Sequence, residues 1–217
     1  NKKKFKEVLV VLGGTSGERA ISLQSGKACV EALKKKKYNV RTFDPKLKNL
    51  NLIDKKKTEV IFNALHGKDG EDGVAQSYFE YLKIPYTHSG VISSFNSMNK
   101  IISKEIFIKN KILTPKYIKF VYEKNHQNII KNIESKLKFP VVIKPINEGS
   151  SVHVHICNKK NIIKKLNLLS HYKEILIEEF INGREIQVAI MGNKKLGTIE
   201  LKPKRKFYDY EAKYNPK

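Results

Sequence analysis

FKEVLVVLGGTSGERAISLQSGKACVEALKKKKYNVRTF, residues 5–43, is the stretch on which the fold turns. Phe5 to Leu12 contains the longest apolar run of the chain, the five residues from Val8, and reads as a buried strand. It runs into Gly13, Gly14 and Gly17, after which a helix is expected near Ala20 to Lys36 and a second strand over Val40 to Phe43. The pattern then repeats: strand Val60 to Ala64, a glycine-rich stretch from Gly67 to Gly73, and a helix near Val74 to Leu82. Strand and helix in alternation argue for a parallel α/β sheet. Both glycine clusters follow a strand and precede a helix, the place where open α/β sheets bind ligands.

Working outward, Thr87 to Ser97 is rich in Ser, Gly and Asn and marks a change of character, with a domain boundary expected near residue 98. Beyond it come a helical pattern, Lys100 to Lys111, a turn at Thr114-Pro115, strand Tyr117 to Val121 and a helix near Gln127 to Leu137. Strand Val141 to Lys144, a polar loop, strand Val152 to Cys157, helix Lys160 to Leu169 and strand Ile175 to Glu179 follow. Two more strands, Glu185 to Met191 and Lys195 to Leu201, precede a polar, tyrosine-rich tail. The expected fold class is α/β: an N-terminal Rossmann-like parallel-sheet domain followed by a second unit with hairpin-like pairing.

The 217 residues are 40% hydrophobic, enough for one large domain or two small ones with their own cores, and no apolar run approaches the roughly 20 residues that span a bilayer. The net charge of +22 suggests a surface that attracts polyanions. However, only Arg19, Arg41, Arg184 and Arg205 carry the planar fork that nucleic-acid readers exploit. The other 39 basic residues are lysines, many in runs such as Lys34 to Lys37 and Lys55 to Lys57, and they read as a solvated surface with no nucleic-acid partner. Cys29 and Cys157 lie far apart without metal-ligand spacing, which points away from a disulfide framework or zinc site and toward a reducing, cytoplasmic setting.

Three constellations carry chemistry. Gly13-Gly14-Thr15-Ser16-Gly17-Glu18-Arg19 is neither a Walker A loop nor a GxGxxG fingerprint, but it offers the Glu18 carboxylate at the mouth of a sheet, suited to an ammonium group. A glutamate in the favoured first turn of a helix reads equally well. In His66-Gly67-Lys68-Asp69-Gly70-Glu71-Asp72-Gly73 an imidazole enters a loop whose glycines permit close approach to a ligand, although a lone histidine is more often structural. The third runs from Pro140 through Lys144 to Gly149-Ser150-Ser151, where a lysine ending an apolar strand and mobile N–H and hydroxyl donors can hold phosphate oxygens from two directions. Taken singly, each half is an ordinary strand end or turn. Ile175 to Ile181 then ends an apolar strand in carboxylates and a linker, which can present main-chain groups to an adenine.

With these segments in view, GGTSGERAISLQSG (13–26), ALHGKDGEDG (64–73), YTHSGVISSFNSMNKIISK (86–104), FPVVIKPINEGSSV (139–152), ILIEEFINGREI (175–186) and FYDYEAKY (207–214) resemble, in order, the motifs of the D-alanine:D-alanine ligases, ATP-grasp enzymes of bacterial cell-wall synthesis. The resemblance implies an ATP-grasp α+β domain after the Rossmann-like one, with domains at 1–98, 99–183 and 184–217, the last holding part of a mobile loop. It implies ATP-dependent joining of two D-alanines through an acyl phosphate, in the cytoplasm, by a homodimer that binds neither membrane nor nucleic acid. Lys100 and Lys144 would meet the ATP phosphates, with Ser150 and Ser151 in the loop that closes over them. Glu178, Phe180 and Ile181 would flank the adenine, Glu185 would take the ribose, and Lys213 would approach the transferring phosphate. Glu18 would hold the first D-alanine's ammonium and, through Ser150 and Tyr214, link it to the mobile loop, with His66 near that substrate's carboxylate.

Two departures stand out. His153 occupies a position where the family usually has glycine, which puts the geometry of the phosphate-closing loop in question. The family's magnesium ligands and its transition-state arginine are expected downstream of Lys217, so the 217 residues alone are expected to be an inactive part of a longer enzyme. A non-catalytic ATP-binding remnant and a nucleic-acid-binding module are the competing readings.

Overall fold

The computed structural model describes residues 5–121 and 127–202, and within them the chain forms two compact units that divide between Ser103 and Lys104. In the first unit, β1 (Glu7–Val11) lies between β2 (Asn39–Phe43) and β3 (Val60–Asn63), parallel to both. Val8, Leu9, Val10 and Val11 are all buried, as expected of a central parallel strand covered on both faces. Helix α1 (Arg19–Lys35) connects β1 to β2, and α2 (Val74–Tyr81) follows β3. The apolar faces close two clusters, one around Leu9, Ile61 and Phe79 and one around Val8 and Val10.

Within the Ser-, Gly- and Asn-rich stretch that marks the change of character, to which the sequence reading assigned no element, residues 91–98 form a helix, α3 (Val91–Met98). The apolar residues Val91, Phe95 and Met98 recur there at helical spacing, and the intervening Ser and Asn residues obscured that period. Helix α4 (Lys100–Lys109) follows directly, its first turn capped by Asn99 Oδ1, which accepts from the N–H of both Ile101 and Ile102 at 3.1 Å. The division between the units falls within α4.

The second unit contains an antiparallel sheet in the order β4-β7-β5-β6, formed by β4 (Tyr117–Val121), β5 (Val141–Pro145), β6 (His155–Cys157) and β7 (Glu174–Glu179). Helices α5 (Gln127–Lys136) and α6 (Ile162–Leu168) supply Ile129, Ile133, Ile162 and Leu166 to a core with Val141, Ile143, Ile175 and Ile177. β6 is shorter than expected. Ser150, Ser151 and His153 take positive φ values of 48°, 59° and 55°, which no extended strand accommodates, so pairing begins only at His155. β8 (Glu185–Met191) and β9 (Lys194–Leu201) form a separate hairpin, bulged between Ala189 and Ile190 and exposed along nearly its whole length.

Candidate active site

In the first unit, the carboxyl ends of all three parallel strands converge on the N-terminus of α1. Gly13 and Gly14, both at positive φ, turn the chain out of β1, and the N–H of Gly13 donates to Ser22 Oγ at 2.8 Å. Ser22 is fully buried and its hydroxyl donates in turn to the carbonyl of Ala64, just after β3, at 2.6 Å. Asp44, just after β2, accepts from the N–H of Gly14 at 3.0 Å and from both terminal nitrogens of Arg19, at 3.0 and 2.7 Å. Burial pushes the Asp44 carboxyl up, but the Arg19 guanidinium and the N–H groups of Lys46 and Gly14 outweigh it and leave the group below its ordinary value.

That scaffold aims Glu18. It is the N-cap residue of α1, yet its carboxylate makes no capping hydrogen bond. Instead it lies over Gly67: a Cβ at that glycine would sit 2.4 Å from Glu18 Oε2, and φ there is +68°. The 66–67 turn is tied to the Glu18 turn by Ser16, whose hydroxyl donates to the His66 carbonyl at 2.7 Å and accepts from the Glu18 N–H at 3.2 Å. His66 Nε2 is 2.9 Å from Ser25 Oγ on α1, and Nδ1 is 4.0 Å from Glu71 Oε1. The glutamate and histidine singled out in the sequence therefore share one neighbourhood. Ser22, Ser25 and Asp44, which complete it, escaped the sequence reading because each gains its role only through a partner at least nine residues away.

In the second unit, alternation along the strands separates structure from chemistry. Val141, Ile143, Ile175 and Ile177 face the core, so Val142, Lys144, Leu176 and Glu178 share the opposite face. Lys144 pairs in register with Leu176, and Val142 with Glu178, which makes Lys144 and Glu178 diagonal neighbours. Their side chains form an ion pair. The other Glu178 oxygen accepts from Lys104 Nζ of α4 at 2.9 Å. Lys104 also donates to Thr114 Oγ1 at 2.9 Å and to the Pro115 carbonyl at 2.8 Å, with the Tyr117 ring centroid 5.2 Å away. Lys104 closes the 86–104 motif, but the sequence assigned it no role; it stands three residues after the buried Ile101, on the inner face of α4.

The loop from Gly149 carries Ser150 and Ser151 through a turn closed by Val152 N–H to the Gly149 carbonyl at 3.0 Å. His153 takes the left-handed conformation that glycine adopts without strain, and its Nδ1 lies 2.9 Å from the Tyr172 hydroxyl, with the His171 ring edge-on at 5.6 Å. Lys100 occupies the first turn of α4. Phe180 donates its N–H to the Pro140 carbonyl at 3.3 Å, Ile181 is exposed in the linker after β7, and Glu185 opens β8. Lys213 and Tyr214 lie outside the described residues.

A three-stranded parallel sheet with glycine turns at its carboxyl end, followed by an antiparallel sheet with lysine and glutamate on one face, is the arrangement of the ATP-grasp ligases to which the chain is similar. The family described as D-ala D-ala ligase C-terminus matches residues 106–217. A D-alanine--D-alanine ligase of Pelagibacter ubique (strain HTCC1062) is 65% identical over 97% of the chain, which spans 69% of that relative's length. The solved D-alanine--D-alanine ligase of Bacillus anthracis is similar at a TM-score of 0.79 and 35% identity, covering 94% of this chain and 67% of its own. Its complex with ATP is similar at 0.75 and 31%, covering 93% and 67%. The chain belongs to the D-alanine--D-alanine ligase family.

Proposed function

We propose that the protein joins two D-alanines to D-alanyl-D-alanine at the expense of ATP, for peptidoglycan precursor synthesis, in the cytoplasm and as a homodimer. Family membership is the observation that carries this reading, and the environments of Glu18 and Lys144 support it. The γ-phosphate passes from ATP to the carboxylate of the first D-alanine. The amine of the second then attacks the acyl carbon, forming the amide and releasing inorganic phosphate.

The first step brings two anions together, so neutralisation and orientation are its chief requirements. Lys100 and Lys144 supply positive charge to the phosphates, and the Ser150 and Ser151 hydroxyls and N–H groups donate to their oxygens. Glu178, Phe180 and Ile181 flank the adenine and Glu185 accepts from the ribose. Glu18 receives the ammonium of the first D-alanine, and His66, oriented by Ser25, stands by its carboxylate. Lys213 and Tyr214 retain the roles that the family motif implies, at the transferring phosphate and in the link to Ser150 and Glu18.

Magnesium would offset charge on the transferring phosphate. Among the described residues no group of three or more His, Cys, Asp or Glu is arranged to hold a metal ion. No helix among them is long and apolar enough to cross a membrane.

The test is direct: with ATP, magnesium and D-alanine, the protein encoded by the native reading frame should release phosphate and yield D-alanyl-D-alanine by mass spectrometry. Nucleotide binding without dipeptide would favour the non-catalytic remnant and defeat the ligase reading.

A further inference from the structure

Glu178 and Lys104 are a nearly buried pair, with 10% and 6% of their side chains exposed, whereas Lys144 reaches the same carboxylate from a more open position at 21%. All three donors of Lys104 are committed, to Glu178, Thr114 and Pro115. Lys104 therefore has nothing left to offer a ligand. Its charge stays with Glu178, and the cluster of two ammoniums and one carboxylate keeps a net charge of +1 on the Lys144 side.

The consequence concerns what Lys144 can do. A buried carboxylate stripped of its partner is strongly destabilising, so a lysine that is the sole cation on a buried glutamate is held there. We propose that Lys104 is a positioning residue for ATP: by holding one Glu178 oxygen permanently, it lets Lys144 leave the other and turn to the nucleotide's phosphates. This rests on the assignment of Lys144 to those phosphates. Lys104 acts through Glu178 and Lys144 and touches no substrate itself. The arrangement also makes the two lysines unequal, one spent on the fold and the other available for chemistry, although both ammoniums meet the same carboxylate.

The role has a signature that a purely structural lysine lacks, because it concerns the phosphates and leaves the nucleoside alone. ATP and adenosine are titrated against a fluorescent ADP analogue on the unmodified protein and on Lys104→Met, Glu178→Gln and the double variant. Lys104→Met should lower the ATP-to-adenosine affinity ratio by about 10- to 100-fold, the range for losing a charge-assisted hydrogen bond. In the Glu178→Gln background, where no carboxylate remains to retain Lys144, adding Lys104→Met should change that ratio less than about threefold. An equal loss of ATP and adenosine, an unchanged ratio in the single variant, or an undiminished effect in the Glu178→Gln background would overturn the proposal. If Lys104→Met does not fold, Thr114→Val removes one of the three anchors and should lower the ratio in the same direction by about threefold, and no change there also overturns it. Absence of ATP binding by the unmodified protein would defeat this proposal and the ligase reading together. Binding with the wrong pattern defeats this one alone.

Discussion

Asp44 gathers the N–H of Gly14, the N–H of Lys46 and both arms of Arg19 onto one carboxylate, and so fixes the turn that presents Glu18. Because its folded-state value is depressed, it contributes stability above the ordinary carboxylate range of about 4, and that contribution is lost as pH falls through the lower folded value. Asp44→Asn should therefore lower the urea midpoint at pH 7, and the gap to the unmodified protein should close as the pH approaches 3. A gap independent of pH would mean that packing, not charge, accounts for the loss. At the same scale, His153 stands where the family usually has glycine, and it takes the left-handed conformation with its ring against Tyr172 and His171. Burial, and then the charge of Glu148 and a hydrogen bond to it, raise the Tyr172 hydroxyl above its ordinary value.

Elements follow the apolar periods closely where one face is buried. The boundaries of β1, α1, β2 and β3 fall within two residues of the sequence reading, and in β1 two-sided burial leaves an unbroken apolar run that Gly13 and Gly14 end. α3 went unread because polar residues hid its helical period, and β6 is shorter than expected because positive φ values cut short an apolar strand. What holds α1 to the sheet is equally invisible in a period. Ser22 bridges the Gly13 N–H and the Ala64 carbonyl from inside the protein, and Ser22→Ala would leave a buried donor and acceptor unpaired. Chemical denaturation should show a loss of about 1–3 kcal/mol, the cost of such orphaned groups. A loss below about 0.5 kcal/mol would mean that the bridge does not tie β1 to β3 through α1.

At the scale of the molecule, the lysine load separates two kinds of phosphate recognition. Diffuse attraction of a +22 chain for polyanions is screened by salt, whereas a lysine anchored beside a buried carboxylate is screened much less. Retention on DNA at low ionic strength should vanish by about 0.2 M salt while ATP affinity falls by less than about tenfold. Retention that persists, with recognition of particular sequences, would revive the nucleic-acid reading.

Fold class, the Gly13–Glu18 and His66–Gly73 turns, the Lys144 strand and the family resemblance were all legible in the chain, because each is a local pattern: a period of burial, or a residue type placed at a strand end. The sequence could not say which of 39 lysines would be buried, that Lys104 and Lys144 would share Glu178, or that Asp44 and Ser22 would hold the turn that carries Glu18. Those choices were left to the tertiary structure for a physical reason. A buried charge or hydroxyl is tolerated only where groups distant in the chain meet it with the right geometry, and such meetings follow from strand register and helix packing, which no short window of residues contains.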